Sequence, residues 1–286
     1  MKIRYITILL VLIASILNSC DKVTPPYVEK LDYCFGNKKV LIEDYTGHGC
    51  VNCPQAAVIA HDMNEKFCAE RDRFVIIGVH AGYFAKPDFE NNPVFAADYT
   101  TEAGDTWDTF FGNSAMGNPN GLIDRVEGPT GYVYYPQSWE DIAAPLLLEP
   151  AQALITISND FDTENNTLAT LIKTNFQEDV TGTYKLIVCI TQNNIISAQK
   201  NNDESIGPTP IDSAYVHNHV LRGTINGTWG ENLSSSGSVD MSTTYEKTYT
   251  QLFADDWIPE DCQVVAFVYL EETKQVIQVE ELKVLE

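Results

Sequence analysis

Cys50 and Cys53 stand two residues apart in Gly49-Cys50-Val51-Asn52-Cys53-Pro54, and they are the residues of this chain whose type and spacing could do chemistry. Two sulfurs at that spacing can close a disulfide. At a helix start, the unpaired amides and the positive end of the macrodipole also favour a thiolate. Three uses compete: thiol-disulfide exchange, a static bridge, or part of a zinc site, for which a second cysteine pair at ligand spacing is missing. If the pair exchanges, Cys50 is the attacking thiolate and Cys53 resolves the mixed disulfide. His48 is then the candidate for stabilising the Cys50 thiolate, and Glu43 or Asp44 for taking the proton from Cys53. His217 and His219 alternate on one strand face but lack a partner at ligand spacing, so they read as hydrogen-bonded histidines, and neither a metal nor a cofactor is expected.

The elements that must position the pair are legible around it. Val40 to Tyr45 reads as a buried strand, Pro54 to Ala69 as a helix with Ala57, Ala60, Met63 and Phe67 on one face, and Phe74 to His80 as a second buried strand. Strand, helix and strand in that order imply a parallel pair with a right-handed crossover. An insertion from Ala81 to about Asn118 holds short helices near Pro93 to Tyr99 and Trp107 to Phe111. Gly121 to Val126 and Gly131 to Tyr135 then flank a turn at residues 127–130. Ser138-Trp139-Glu140-Asp141 is a capping box for a last helix reaching Leu148.

On these residues the first half resembles a thioredoxin fold. Cys50 and Cys53 sit between the first core strand and its helix. Pro119 stands just before the Gly121 strand, where that family places a cis-proline beside the disulfide, and Glu43 or Asp44 could supply its buried carboxylate. Gly49 occupies the place where thioredoxins usually carry an aromatic residue, and Val51-Asn52 fits no oxidase or reductase pattern, so the direction of electron flow stays open.

The N-terminus indicates the compartment. Lys2 and Arg4 precede an apolar stretch, Tyr5 to Leu17, too short to span a bilayer, and Leu17-Asn18-Ser19-Cys20 follows. Residues 1–19 read as a signal peptide whose end resembles a bacterial lipobox. That resemblance implies that Cys20 is acylated with palmitate-type chains, each buried methylene contributing roughly 0.8 kcal/mol to anchoring. Residues 20–32 form the anchor and tether.

Loss of Lys2 and Arg4 with the signal takes the formal charge from −22 to −24. No Lys/Arg cluster could release the counterions of a phosphate backbone, which excludes nucleic acid as a partner. The body should meet the membrane only through acylated Cys20.

Tyr45-Thr46-Gly47 with Cys50-x-x-Cys53-Pro54, behind a lipobox and ahead of a strand-rich second half, resembles the twenty-eight-kilodalton outer membrane protein family of bacterial lipoproteins. The resemblance implies an outer-membrane location and a thioredoxin-like domain joined to a β-sandwich. Residues 33–149 are then the α/β thioredoxin-like domain and residues 150–286 an all-β immunoglobulin-like sandwich. In the second part, strand patterns fall near 152–158, 167–176, 183–192, 215–225, 244–252, 263–270 and 275–283. The segment from Asn193 to Ser213, rich in Asn, Asp and Pro, reads as a surface loop, with a contact surface as the alternative.

Six cysteines beyond Cys20 allow 15 connectivities. Topology favours Cys50–Cys53 and Cys34–Cys68, since Cys34 precedes the first strand and Cys68 ends the helix running back antiparallel to it. Cys189, late in one strand, and Cys262, opening another, are expected to form the third bridge. Two functions follow. One is a lipid-anchored thiol-disulfide oxidoreductase acting on protein thiols or disulfides of the envelope; the other is a non-catalytic surface or envelope lipoprotein, adhesive or binding, that keeps the disulfide for stability.

Overall fold

The computed structural model describes residues 31–88 and 91–285, so the expected signal peptide, Cys20 and most of the tether lie outside the described residues. Strand β1 (Val40–Thr46) pairs in parallel with β2 (Phe74–His80), in register from Val40↔Phe74 to Thr46↔His80. Both strands are buried on both faces, which is why β2 reads as a nearly unbroken apolar run, while in β1 the run is interrupted by Glu43 and Asp44. The crossover is helix α1 (Cys53–Cys68), whose buried Ala56, Ala60 and Met63 recur at helical spacing and pack on Val40, Ile42, Phe74 and Ile76. Strand β3 (Asn120–Ile123) lies antiparallel on the other side of β1. It stops short of the expected Val126 because Asp124 and Arg125 turn the chain at positive φ, 46° and 51°. The hairpin beyond survives as two bridges, Gly121↔Tyr134 and Gly128↔Gly131.

Three more helices follow: α2 (Glu102–Phe111), α3 (Asn113–Met116) and α4 (Trp139–Leu147). The Thr101 hydroxyl caps α2 by accepting from the Gly104 amide at 3.0 Å, and Gly112 ends it in the left-handed region at φ 80°.

The second half is built of β4 (Ala153–Asp162), β5 (Thr167–Phe176), β6 (Val180–Thr181), β7 (Tyr184–Gln192), β8 (Ile195–Lys200), β9 (Ile211–His217), β10 (Val220–Thr224), β11 (Glu231–Asn232), β12 (Ser238–Val239), β13 (Thr244–Leu252), β14 (Cys262–Leu270) and β15 (Val276–Lys283). The protein is thus β-rich with few helices. A sandwich beginning near residue 150 was expected to stand as its own domain, but the main sheet crosses that point, running β15-β14-β7-β10-β2-β1-β3. The joint is β10 beside β2 at Val220↔Gly78, where the Gly78 amide donates to the His219 carbonyl at 2.7 Å. A Cβ at Gly78 would stand only 3.3 Å from that oxygen, so glycine lets the two halves meet. Residues 33–286 accordingly form one compact unit.

Strands β7 and β14 are covered on both faces. One side packs Leu186, Val188, Val264 and Ala266 against the separate β13-β5-β4 sheet. The other side packs Ile187, Cys189, Val265, Phe267 and Tyr269 with Trp107 and Phe111 of α2 and with Leu41, Tyr45 and Ile77. The main sheet curls until β15 meets the start of β1: the Val276 amide donates to the Asp124 carbonyl at 2.8 Å, and the Lys39 amide to Gln278 Oε1 at 2.9 Å.

Cys34 and Cys68 are joined, with an S–S distance of 2.03 Å. The expected Cys189–Cys262 bridge is absent, and both are free and buried. The register explains it. Cys262 lies opposite Gln192 and Cys189 opposite Val265, and the two sulfurs belong to cores on opposite sides of the sheet. Burial pushes the Cys262 thiol up to about 12 and the Cys189 thiol higher still, so both behave as apolar packing groups.

Candidate functional site

Cys50 and Cys53 are bonded to each other, Cys53 as the first residue of α1 and Cys50 in the turn before it. The turn is held from both sides. The Cys50 amide donates to the Gly47 carbonyl and the Gly49 amide to the Phe84 carbonyl, each at 2.9 Å, and a Cβ on Gly47 would come within 2.5 Å of the Phe84 backbone. The Asn118–Pro119 peptide is cis, and Asn118 Nδ2 donates to the Thr46 carbonyl at 3.3 Å. Asn118 and Pro119 share a surface groove of about 450 Å³ with Asn52 and Gln55.

The segment read as a surface loop is instead a structured arm. Strands β8 and β9 pair with each other, and the turn between them reaches over the cysteine pair. Gln199 Nε2 donates to the Cys50 carbonyl at 2.8 Å, the Lys200 amide to the His48 carbonyl at 2.8 Å, and the Asn202 amide to the Val51 carbonyl at 3.2 Å. Asn202 also accepts from Gln55 and donates to Asn52, each at 2.6 Å. Under this strap each cysteine is 2 % exposed, so Cys50, the expected attacking thiolate, is no more open to a partner than Cys53. Gln199 and Asn202 gave no warning of this role, because contacts across some 150 residues leave no local periodicity.

Strand alternation decides between the two carboxylates. Leu41, Glu43 and Tyr45 face one way, Val40, Ile42 and Asp44 the other, towards α1. Asp44 therefore lines, with Cys53, His80, His217 and Gln199, a narrow cavity of about 90 Å³. Glu43 faces the opposite core and is bound by Arg125, Nε to Oε2 and Nη2 to Oε1 both at 2.7 Å, so it cannot serve Cys53. His48 does not supply a positive charge either. Its Nε2 donates to the Lys86 carbonyl at 3.1 Å, its ring stacks on Phe95, and burial holds its pKa below the usual histidine range. His217 and His219 both line the cavity and are pushed down to about 4, chiefly by burial.

Burial raises the Asp44 carboxyl from 3.8 to about 7, and its Oδ1 has no hydrogen-bond partner. The native chain therefore keeps a proton that the unfolded chain releases above about 3.8. The stability this confers is fully present below that pH and is lost as pH rises through 7. Relative to Asp44→Asn, wild type should lose a few kcal/mol of unfolding free energy between about pH 4 and pH 7. Denaturant unfolding of both chains across that range checks it; parallel curves would rule it out. Taking the difference removes the opposite contribution of His80 and His217, whose lowered values weaken the fold as pH falls.

These features define a β-rich protein in which a strapped, oxidised Cys-x-x-Cys turn is built into a sheet spanning both halves. The chain belongs to the family described as outer membrane protein Omp28, whose profile matches residues 104–286, more than half of it, and is thus an outer membrane protein. No curated protein matches it. Its fold is similar to that of HBP35 of Porphyromonas gingivalis, with a TM-score of 0.62 and 15% identity over 87% of this chain and 76% of that one. A domain of the outer membrane lipoprotein Omp28 from Porphyromonas gingivalis aligns with 47% of this chain and 89% of its own length, at 21% identity and a TM-score of 0.33.

Proposed function

We propose that this chain is a non-catalytic envelope lipoprotein, held at the outer membrane by an acylated Cys20, in which a thioredoxin-like half serves as scaffold and Cys50–Cys53 is a structural bridge. The burial of both sulfurs beneath the β8–β9 arm carries this reading, because a protein thiol must meet a disulfide sulfur to exchange with it. Among the described residues no helix is long and apolar enough to cross a membrane, which is consistent with attachment through a lipid. Thiol-disulfide exchange with envelope proteins is the second reading, favoured by the Asp44 carboxyl and Cys53 sharing one cavity.

An insulin-reduction assay on the full-length chain and on Cys50→Ser separates the two. Equal, background-level rates are expected. A rate well above background that disappears in Cys50→Ser would establish the exchange reading instead. In a glutathione titration the bridge should stay oxidised, as structural disulfides with potentials below about −300 mV do.

A further inference from the structure

Four of the five histidines of this chain gather where β10 joins β2. Because that joint is a single register pair, Val220↔Gly78, the Phe74 to Ile77 edge of β2 has no strand beside it on that side among the described residues. The gap is an open cleft of about 410 Å³. Its polar walls include Asp72, Glu281, Gln263, Asn64, His61 and His219, with no lysine or arginine among them. Behind it lies the narrow cavity holding Asp44, His80 and His217, and His61 and His219 belong to both.

Most of the atoms left without partners here are acceptors, the exception being the ring N–H of His80, whose Nδ1 and Nε2 are both unpartnered. Gln263 Oε1 and Glu281 Oε2 in the cleft, and Asp44 Oδ1 behind it, are buried acceptors with nothing donating to them. His219 Nδ1 and His217 Nε2 are likewise unpartnered, and imidazoles kept neutral by burial can accept. Such groups are costly to leave unmet. The cation facing Glu281, Lys39, is already paired with Glu280.

We propose that this cleft binds an organic cation, an ammonium or guanidinium group, which donates its N–H bonds to Glu281, Gln263 and Asp72. A metal ion fits less well. Among the described residues no three His, Cys, Asp or Glu side chains converge to hold one. Metal bonds to nitrogen and oxygen of about 2.1 Å demand tight convergence, while N–H donors reach acceptors at roughly 2.7 to 3.2 Å in several directions. The volume falls within the range of roughly 300 to 1,000 Å³ of small-ligand sites. Burial holds the Glu281 carboxyl at about 7, against the pull of Lys39, so an arriving cation would bind together with loss of that proton. The site is independent of whether Cys50–Cys53 exchanges.

Isothermal titration of the full-length chain in detergent tests this, using agmatine as the free amine and a capped Gly-Arg-Gly peptide as the side-chain form. Saturable binding of at least one is expected, with tetramethylammonium, which has no N–H, weaker by tenfold or more. Tighter binding of the peptide would assign the site to a partner's basic side chain; tighter binding of agmatine, to a free small molecule. Glu281→Gln should weaken binding about tenfold and Cys50→Ser should leave it unchanged; if Glu281→Gln fails to fold, Asp72→Asn at the exposed rim should weaken binding instead. The proposal is overturned if neither probe saturates, if tetramethylammonium binds equally, or if the folded cleft variants bind like wild type.

Discussion

Replacing Arg125 with methionine is expected to destabilise the folded chain by about 3–5 kcal/mol, the range for breaking a buried ion pair from one side. Both side chains of the Glu43–Arg125 pair are fully excluded from solvent. The guanidinium also lies 5.0 to 5.9 Å from the ring centres of Trp107, Phe111, Trp229, Phe267 and Tyr269. Those rings come from α2, from β14 and from the turn ahead of β11, so one cation ties β1 to both halves. Methionine restores volume but leaves the Glu43 carboxylate buried and unpaired. Glu43→Gln combined with Arg125→Met should therefore recover a large part of the loss, since what destabilises is the orphaned charge. Chemical unfolding of the two single variants and the double variant measures the coupling. Purely additive effects, or a loss below about 1 kcal/mol for Arg125→Met, would show the pair to be incidental.

The second large effect concerns Cys34–Cys68. The bridge spans 34 residues, and on the chain-entropy account a loop of that size contributes about 4 kcal/mol. Cys34→Ser with Cys68→Ser should lower the unfolding free energy by roughly that amount. Cys50→Ser with Cys53→Ser closes a separation of only 3 residues and should cost about half as much by the same relation. Unfolding of the two paired variants side by side gives the ordering. The reverse order would mean that the strapped turn contributes more to the native state than its loop length implies.

What could be read from the sequence follows the range over which each feature is determined. Strand β2 was expected over Phe74 to His80 and occupies those residues, because a buried strand declares itself through its own apolar run. Helix α1 and the cysteine turn were equally local. The choice between Glu43 and Asp44 was not, since each sits on a strand buried on both faces, where alternation separates faces without naming them. Arg125 gave no signal at all. A single arginine after Asp124 looks like a turn residue, and only the meeting of α2, β14 and Trp229 around it makes it a core group. The Cys189–Cys262 expectation failed for a related reason: adjacency of β7 and β14 was right, but three residues of register offset and opposite faces keep the sulfurs apart. The arm was missed because Asn, Asp and Pro suit both a solvated loop and a turn whose partner lies in another part of the chain.

Cys34 lies a few residues ahead of β1, and its sulfur is fixed to the last turn of α1, at the other end of that helix from Cys53. A tug arriving along the N-terminal segment would therefore reach a covalent bond before it reached the first hydrogen bond of β1. Tension would pass into the end of a helix seated on the sheet, and β1 would be spared being peeled from β2 and β3 one bond at a time. A helix of 16 residues is about 24 Å long, so the strapped turn stands that far from the point of traction. Load arriving along that segment would then be taken up at one pole while the other kept its shape.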